Sequence, residues 1–240
     1  MLALGQPPDT EPRLRTVAPR GLTTPRAAGV AGIVFAVLFV LALVLMRQAV
    51  GQRLDNETVL HNVTSAGSAS NLALVGLYTV PFAGIAFLWF VGVVRDRIGA
   101  REDRFFATVF LGSGLLFVAM LFASTAVLGG LIAGNRYGTA APTDLATVGF
   151  ARSVGYSFLF VYASKVAGVF TLVTSTIIRR SGWSKWTFLS GFATAILLIL
   201  SISFFEPIVL LFAVWVAAVS LYVLVTGGAA VAGMNGILTK

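Results

Sequence analysis

The chain has 240 residues, of which 58% are hydrophobic and only 11% charged, against about 25% charged residues in a typical soluble domain. It contains no cysteine, which excludes disulfides, thiolate metal sites and cysteine nucleophiles. The net charge of +8 would suit a nucleic-acid binder, but no basic run alternates with aromatic residues as on a nucleic-acid surface. We therefore expect no nucleic-acid partner, and we attribute the basic excess to the cytoplasmic loops of a membrane protein.

Six apolar stretches of membrane-spanning length, separated by short charged connections, occupy most of the chain. A helix needs about 20 predominantly apolar residues to cross the roughly 30 Å hydrocarbon core of a bilayer. Because lipid offers the backbone no hydrogen-bond partners, each stretch is predicted to be a helix. The predicted spans are Gly29–Met46, Leu72–Val94, Phe105–Ala126, Ser153–Ile178, Phe188–Phe205 and Pro207–Thr226. The predicted fold class is all-α, a polytopic membrane protein with six transmembrane helices.

The apolar runs of the third and fourth predicted spans are longer than a bilayer requires. The third continues to about Gly134, and the fourth can begin as early as Gly149. Two alternatives remain open, since length alone does not fix tilt: the two helices tilt strongly, or they project beyond the outer surface as a hairpin.

The distribution of basic residues predicts the orientation, because Lys and Arg of short loops stay on the cytoplasmic side. With the N-terminus inside, twelve of the 17 basic residues fall in inner segments. Four fall in outer segments (Arg47, Arg53, Arg136 and Arg152), and Lys165 lies within a span. This predicts an N-in, C-in protein of the bacterial cytoplasmic (inner) membrane, with the longest connection, Arg47–Asn71, outside.

The two ends of the chain are predicted to be tails. Residues 1–26 carry five of the eight prolines with scattered Thr and Arg, so they cannot bury enough apolar surface to offset the entropy of ordering. The predicted organisation is a disordered cytoplasmic tail over residues 1–26, a transmembrane domain over 27–226 and a short cytoplasmic tail over 227–240.

Lys165 is the one charged residue inside a predicted span. It lies about thirteen residues, or roughly 20 Å, from the inner end of that helix, where a lysine costs about 2.5–3.5 kcal/mol on insertion scales. It is therefore expected to face protein or water. No Asp or Glu lies inside any predicted span, which leaves hydroxyls, carbonyls, water or an anionic ligand as its partners.

The candidate ligand-binding residues follow from that position. They are Lys165, the hydroxyl-bearing Tyr162 and Tyr78, and Arg152 as a second cationic station on a largely different face of the same helix. We expect no catalytic residues, no metal site and no cofactor.

The segment Phe87–Gly114, with its alternating charges between Arg95 and Arg104, resembles a segment of uncharacterised multi-pass membrane proteins of GC-rich bacteria. The resemblance covers only the second and third predicted spans and their connection. Since that family has no assigned activity, the resemblance implies membership and says nothing about chemistry.

Three functions remain open at this point. The first is an accessory or structural protein of a larger membrane complex, with Arg95–Arg104 as the contact. The second is a small transporter or channel that passes an anionic or polar solute along Lys165. The third, an enzyme with Lys165 as base or nucleophile, has the least support because no second catalytic group lies at its depth. The expected partners are the lipid bilayer and either further copies of the chain or a larger membrane complex.

Overall fold

A computed structural model of the chain describes residues 25–65, 67–98, 104–138, 143–180, 185–201 and 207–235. All regular structure within these ranges is helical: α1 Pro25–Val50, α2 Asn56–Thr64, α3 Ser68–Ile98, α4 Arg104–Arg136, α5 Leu145–Tyr156, a π-helical segment Ser157–Ala163, α6 Ser164–Arg180, α7 Lys185–Leu200 and α8 Pro207–Asn235. Because α5, the π-helical segment and α6 follow one another without a gap, they form one long helix, here called the α5–α6 rod. The predicted all-α fold class is confirmed.

Five helical stretches are long and apolar enough to cross a membrane. They are Gly29–Val50, Ser68–Arg95, Phe105–Arg136, Leu145–Ile177 and Pro207–Val225. These stretches correspond to the first four predicted spans and the sixth, and they make the chain an integral membrane protein.

The fifth predicted span, Phe188–Phe205, differs most from the structure. Helix α7 is apolar but has 16 residues and ends at Leu200, which gives a length of about 24 Å. Residues 202–206 lie outside the described part of the chain. The described residues therefore support five full-length spans and one shorter apolar helix.

Both predicted tails overlap helices. Helix α1 begins at Pro25, whereas residues 1–24, most of the predicted tail, lie outside the described ranges. Helix α8 continues to Asn235, so the predicted boundary after residue 226 falls inside a helix. Residues 99–103 of the charged connection and residues 236–240 also lie outside the described ranges.

The helices pack in a closed order. Helix α1 contacts α3 and α8, α3 contacts α4, α4 contacts the α5–α6 rod, α6 contacts α7, and α7 contacts α8. Glycines let the first and last helices approach closely: a Cβ on Gly32 of α1 would lie only 1.9 Å from the Ser220 Oγ of α8. Small residues are the usual means of bringing helices together in lipid. The start of α1 and the second half of α8 therefore lie at the same end of the bundle.

Phenylalanine rings fill the centre of the bundle. Eight fully buried rings come from α1, α3, α4, α6 and α8: Phe35, Phe39, Phe87, Phe90, Phe110, Phe117, Phe170 and Phe212. The Phe87 ring is central, because its centroid lies 4.8 to 6.2 Å from the centroids of five others. These separations are those of favourable aromatic pairs. We call this set of eight rings the phenylalanine core.

A short helix covers one end of the bundle. Helix α2 lies inside the connection Arg47–Asn71 and contacts α1, α3, α4 and α5. The Asp55 carboxylate caps α2 by accepting a hydrogen bond from the Thr58 N–H at 2.6 Å. On the inner face of α2, Val59 and Val63, four residues apart, are buried. An acidic N-cap and an i, i+4 apolar pair are sequence signals of a helix. The prediction for the connection Arg47–Asn71 contained no helix and did not use these signals. The end of the bundle that α2 covers is called the α2 end below.

The π-helical segment interrupts the α5–α6 rod near the α2 end. In it a backbone N–H reaches back five residues, as from Ser164 to the Leu159 carbonyl. Directly before it, the Gly155 carbonyl accepts a hydrogen bond of 2.7 Å from the Ser124 Oγ of α4. Such bonds from a neighbouring helix help to satisfy backbone groups where the α-helical pattern changes inside a membrane.

Candidate functional site

The Lys165 amine is bound to the end of another helix. Its Nζ donates to the carbonyl of Ser201, the residue directly after α7, and the side chain is half-buried. The last carbonyls of a helix have no partner within it and carry partial negative charge. Lys165 therefore caps the carboxyl end of α7.

Close packing of α6 on α7 fixes this contact. The two helices run antiparallel: a Cβ on Gly191 would lie 1.9 Å from the Ser175 Oγ, and one on Gly168 would lie 3.1 Å from the Ala195 carbonyl oxygen. The two glycines thus hold the helices together near both ends of the contact. This register brings Ser201 opposite Lys165.

Arg152 holds the connection between α1 and α2. Its Nη1 donates to Asn56 Oδ1 at 2.6 Å, and its Nη2 donates to the carbonyls of Gly51 at 2.9 Å and Leu54 at 2.8 Å. One turn later, the Tyr156 hydroxyl donates to the Val50 carbonyl, and the Tyr156 ring centroid lies 5.9 Å from Arg152 Cζ. These two side chains of α5 tie the α2 end to the rod.

Among the described residues, the Arg152 guanidinium donates to three neutral oxygens. The nearby acid, Asp55, has a pKa lowered from its usual value, first because the Thr58 backbone and side chain donate hydrogen bonds to it and then because Arg152 lies near. At the start of α5, Asp144 also has a lowered pKa because Thr147 donates hydrogen bonds to it. Both carboxylates thus act as helix caps.

The two predicted tyrosines lie at exposed positions. The Tyr78 hydroxyl lies 3.3 Å from the hydroxyl of Tyr137, the residue directly after α4. The Tyr78 side chain is 58% exposed. Tyr162 is 55% exposed, and its ring centroid lies 6.0 Å from that of Phe158. Each therefore has its own partner.

The four predicted site residues have separate partners in the described part of the chain and do not form one site. Arg152 and Lys165 are thirteen residues apart on the α5–α6 rod, a distance of roughly 20 Å along the helix. Their partners, the α1–α2 connection and the end of α7, are also different. Binding of a ligand by these residues stays a prediction.

Two cavities that the sequence did not predict adjoin the α2 end. An apolar cavity of about 90 Å³ lies between α1, α4, the rod and the start of α8; its lining includes Leu43, Val44, Leu128, Leu159, Leu210 and Tyr156. A polar basin of about 570 Å³ lies between the α1–α2 connection and α5; its lining includes Gln52, Asn56, Arg152, Ser153, Tyr156 and Ser157. Tyr156 lines both. The pair Arg152 and Tyr156, four residues apart on one helical face, was the available sequence signal.

No family model, no curated protein and no solved structure matches the chain. The resemblance of Phe87–Gly114 to membrane proteins of GC-rich bacteria therefore stays a prediction.

Proposed function

We propose that the protein is an accessory or structural multi-pass protein that stabilises a larger membrane assembly, in the bacterial cytoplasmic membrane. The observation that carries this proposal is the phenylalanine core. Rings from five helices meet at the centre of the bundle, and the Phe87 ring alone contacts five of the other seven rings. A bundle whose centre is filled in this way is suited to holding a shape in the membrane.

A small transporter that uses Lys165 is not favoured. Such a protein needs a polar, water-accessible route past the lysine, whereas the Lys165 amine donates to the Ser201 carbonyl at the end of α7. The enzyme alternative meets the same obstacle, because a backbone carbonyl supplies neither an acid nor a base to a reaction. Capping of α7 accounts for the lysine without a solute or a substrate.

The partner contact is proposed at the charged connection Arg95–Arg104, at the end of the bundle opposite α2. Arg95 is exposed, and the connection alternates basic and acidic residues. Such a pattern gives specificity to a protein contact, since a matching charge pattern on the partner is attracted and others are repelled. The partner is either a second copy of the chain or another membrane protein.

Site-specific photo-crosslinking in cells tests this proposal. A photoreactive amino acid at position 95 is expected to give one discrete crosslinked protein product. The matched control is the same residue at position 53, an exposed arginine at the α2 end, which is expected to give none. Equal products from both positions would contradict the proposed contact.

A flux measurement tests the alternative. The purified chain in proteoliposomes is expected to pass neither chloride nor glycerol faster than empty vesicles. Flux of either solute that Lys165→Met abolishes, while the protein stays folded, would overturn the accessory role in favour of transport.

The proposed orientation places both termini and the Arg95–Arg104 connection in the cytoplasm. The chain has no cysteine, so single cysteines report topology without background. In intact cells a membrane-impermeant thiol reagent is expected to label a cysteine at position 61 and to leave one at position 100 unlabelled. The reverse pattern would show the opposite orientation.

A further inference from the structure

The apolar cavity and the polar basin at the α2 end meet at Tyr156. We propose that together they bind one anionic phospholipid, with its phosphodiester headgroup in the basin beside Arg152 and an acyl chain in the apolar cavity. This goes beyond the proposed accessory role and does not depend on it.

The position of Tyr156 along the rod supports a site at the membrane surface. Counted from the end of the apolar span at Ile177, the roughly 20 residues that cross a bilayer reach back to Phe158. Tyr156 lies just beyond, and its hydroxyl bonds to Val50, the last residue of the apolar span of α1. Tyrosine is enriched at this boundary because its ring is apolar and its hydroxyl polar. The basin therefore lies on the headgroup side and the cavity on the acyl-chain side.

The basin offers positive charge and hydrogen-bond donors. Within the described part of the chain, the Arg152 guanidinium donates to three neutral oxygens, and these do not compensate its positive charge. Asn56 accepts from Arg152 through Oδ1, which directs its amide NH₂, a donor, to other partners. Gln52 adds a second side-chain amide to the lining. The nearby Asp55 carboxylate is turned toward the Thr58 N–H at 2.6 Å. Guanidinium and amide donors suit a phosphodiester.

The apolar cavity suits a hydrocarbon chain. Its volume of about 90 Å³ exceeds the roughly 10–15 Å³ that a single water needs on a comparable measure. Most of its lining is aliphatic or aromatic, and Val44 is 48% exposed at its edge. A lipid tail can therefore enter from the side. An apolar cavity and a cationic basin that share Tyr156 in their linings favour a lipid over free phosphate, because only a lipid supplies both chemistries in one molecule.

Lipid retention in native mass spectrometry tests the headgroup. The full chain, exchanged into detergent with either phosphatidylglycerol or phosphatidylcholine, is expected to keep one phosphatidylglycerol preferentially. Gln52→Glu places a negative charge in the basin with almost no change in shape, and we expect it to weaken retention about tenfold by repulsion at short range. Gln48→Glu is the matched control: it adds the same charge at an exposed position that does not line the basin. It is expected to leave retention of phosphatidylglycerol unchanged.

Two tryptophan variants test the tail. Val44→Trp is expected to fill the cavity edge and to lower retention severalfold. Val37→Trp, seven residues earlier on α1 and 59% exposed, is expected to have no effect. Thermal unfolding of each variant checks that it is folded. Both Val44 and Val37 are exposed positions of α1, where folding tolerates a large apolar side chain.

Three results would overturn the proposal. The first is equal retention of the two lipids, and the second is equal loss from Gln52→Glu and Gln48→Glu. The third is full displacement of phosphatidylglycerol by millimolar inorganic phosphate together with unchanged retention by Val44→Trp, which would assign the basin to a free anion.

Discussion

The phenylalanine core and the α2 end are stabilised by different forces. In a membrane, an apolar side chain gains little by leaving lipid for the core, so the core depends on dispersion contacts and on the fit of its rings. At the α2 end, Arg152 and Tyr156 donate hydrogen bonds to backbone carbonyls and an amide. A substitution in the core therefore acts through the empty volume that it leaves, whereas one at the α2 end acts through the polar groups that it leaves unpaired.

The largest expected effect is in the core. Phe87→Ala removes the central ring and leaves a cavity among five others. In soluble proteins such a change costs about 3–5 kcal/mol. Because part of that cost is transfer to water, which lipid does not impose, we expect about 3 kcal/mol here, measured by unfolding in mixed micelles. Phe82→Ala, on the same helix but 64% exposed, is the control. Equal destabilisation by both would contradict the role of ring packing.

A smaller and more local effect is expected at the α2 end. Arg152→Met keeps most of the apolar stem but leaves the Gly51 and Leu54 carbonyls without this donor. Loss of hydrogen bonds to a charged group costs about 1.5–3 kcal/mol, and partial exposure places the expected value near the lower end. Hydrogen exchange should accelerate across residues 51–64 and stay unchanged in the core helices. Arg53→Met, an exposed arginine of the same connection, is the control, and faster exchange throughout the bundle would show that the two regions are not separate.

The smallest effect is the pH dependence of α2. The folded-state pKa of Asp55 lies below its usual value of 3.8, so its stabilising effect is fully present above that value and is lost as the pH falls through the folded pKa. We expect opening of α2 measured by hydrogen exchange, corrected for the intrinsic pH dependence, to increase only below about pH 4. Asp55→Asn keeps an N-cap oxygen without its charge and should remove this dependence. Retention of the full acid transition in Asp55→Asn would assign it to another group.

Much of the bundle could be predicted from the sequence, because apolar length and backbone hydrogen bonding leave a membrane segment no choice but a helix. The end of α7 could not. The apolar character resumes at Ile202 and Phe204, each of which follows a serine. Because serine also occurs inside the helices of this chain, as at Ser124 in α4, the sequence does not mark Leu200 as the last helical residue of α7. Its end lies beside Lys165, where an amine meets the last carbonyls.

The candidate site was predicted less well, for a related reason. The sequence shows that Lys165 and Arg152 must find partners, but those partners are backbone carbonyls, which every residue carries. Which carbonyl lies within reach of each side chain is decided only when α7 and the α1–α2 connection have packed against the rod. The need of Lys165 for a polar partner was therefore predictable from the sequence, whereas the identity of its acceptor was not.

The π-helical segment lets one helix serve two neighbours that need different rotations. A bond reaching back five residues holds one residue more per turn than an α-helical bond, and one residue corresponds to about 100° around the helix. All parts of the rod contact α4, and the two parts on either side of Ser157–Ala163 differ in their second neighbour: α5 contacts α2, and α6 contacts α7. Removing a single residue from the π-helical segment would restore a uniform α-helix and turn one part of the rod by about 100° relative to the other. Either α2 or α7 would then face the wrong side chains. The number of residues in this segment thus determines which side chains α5 and α6 present to their neighbours, independently of the chemistry of the side chains within it.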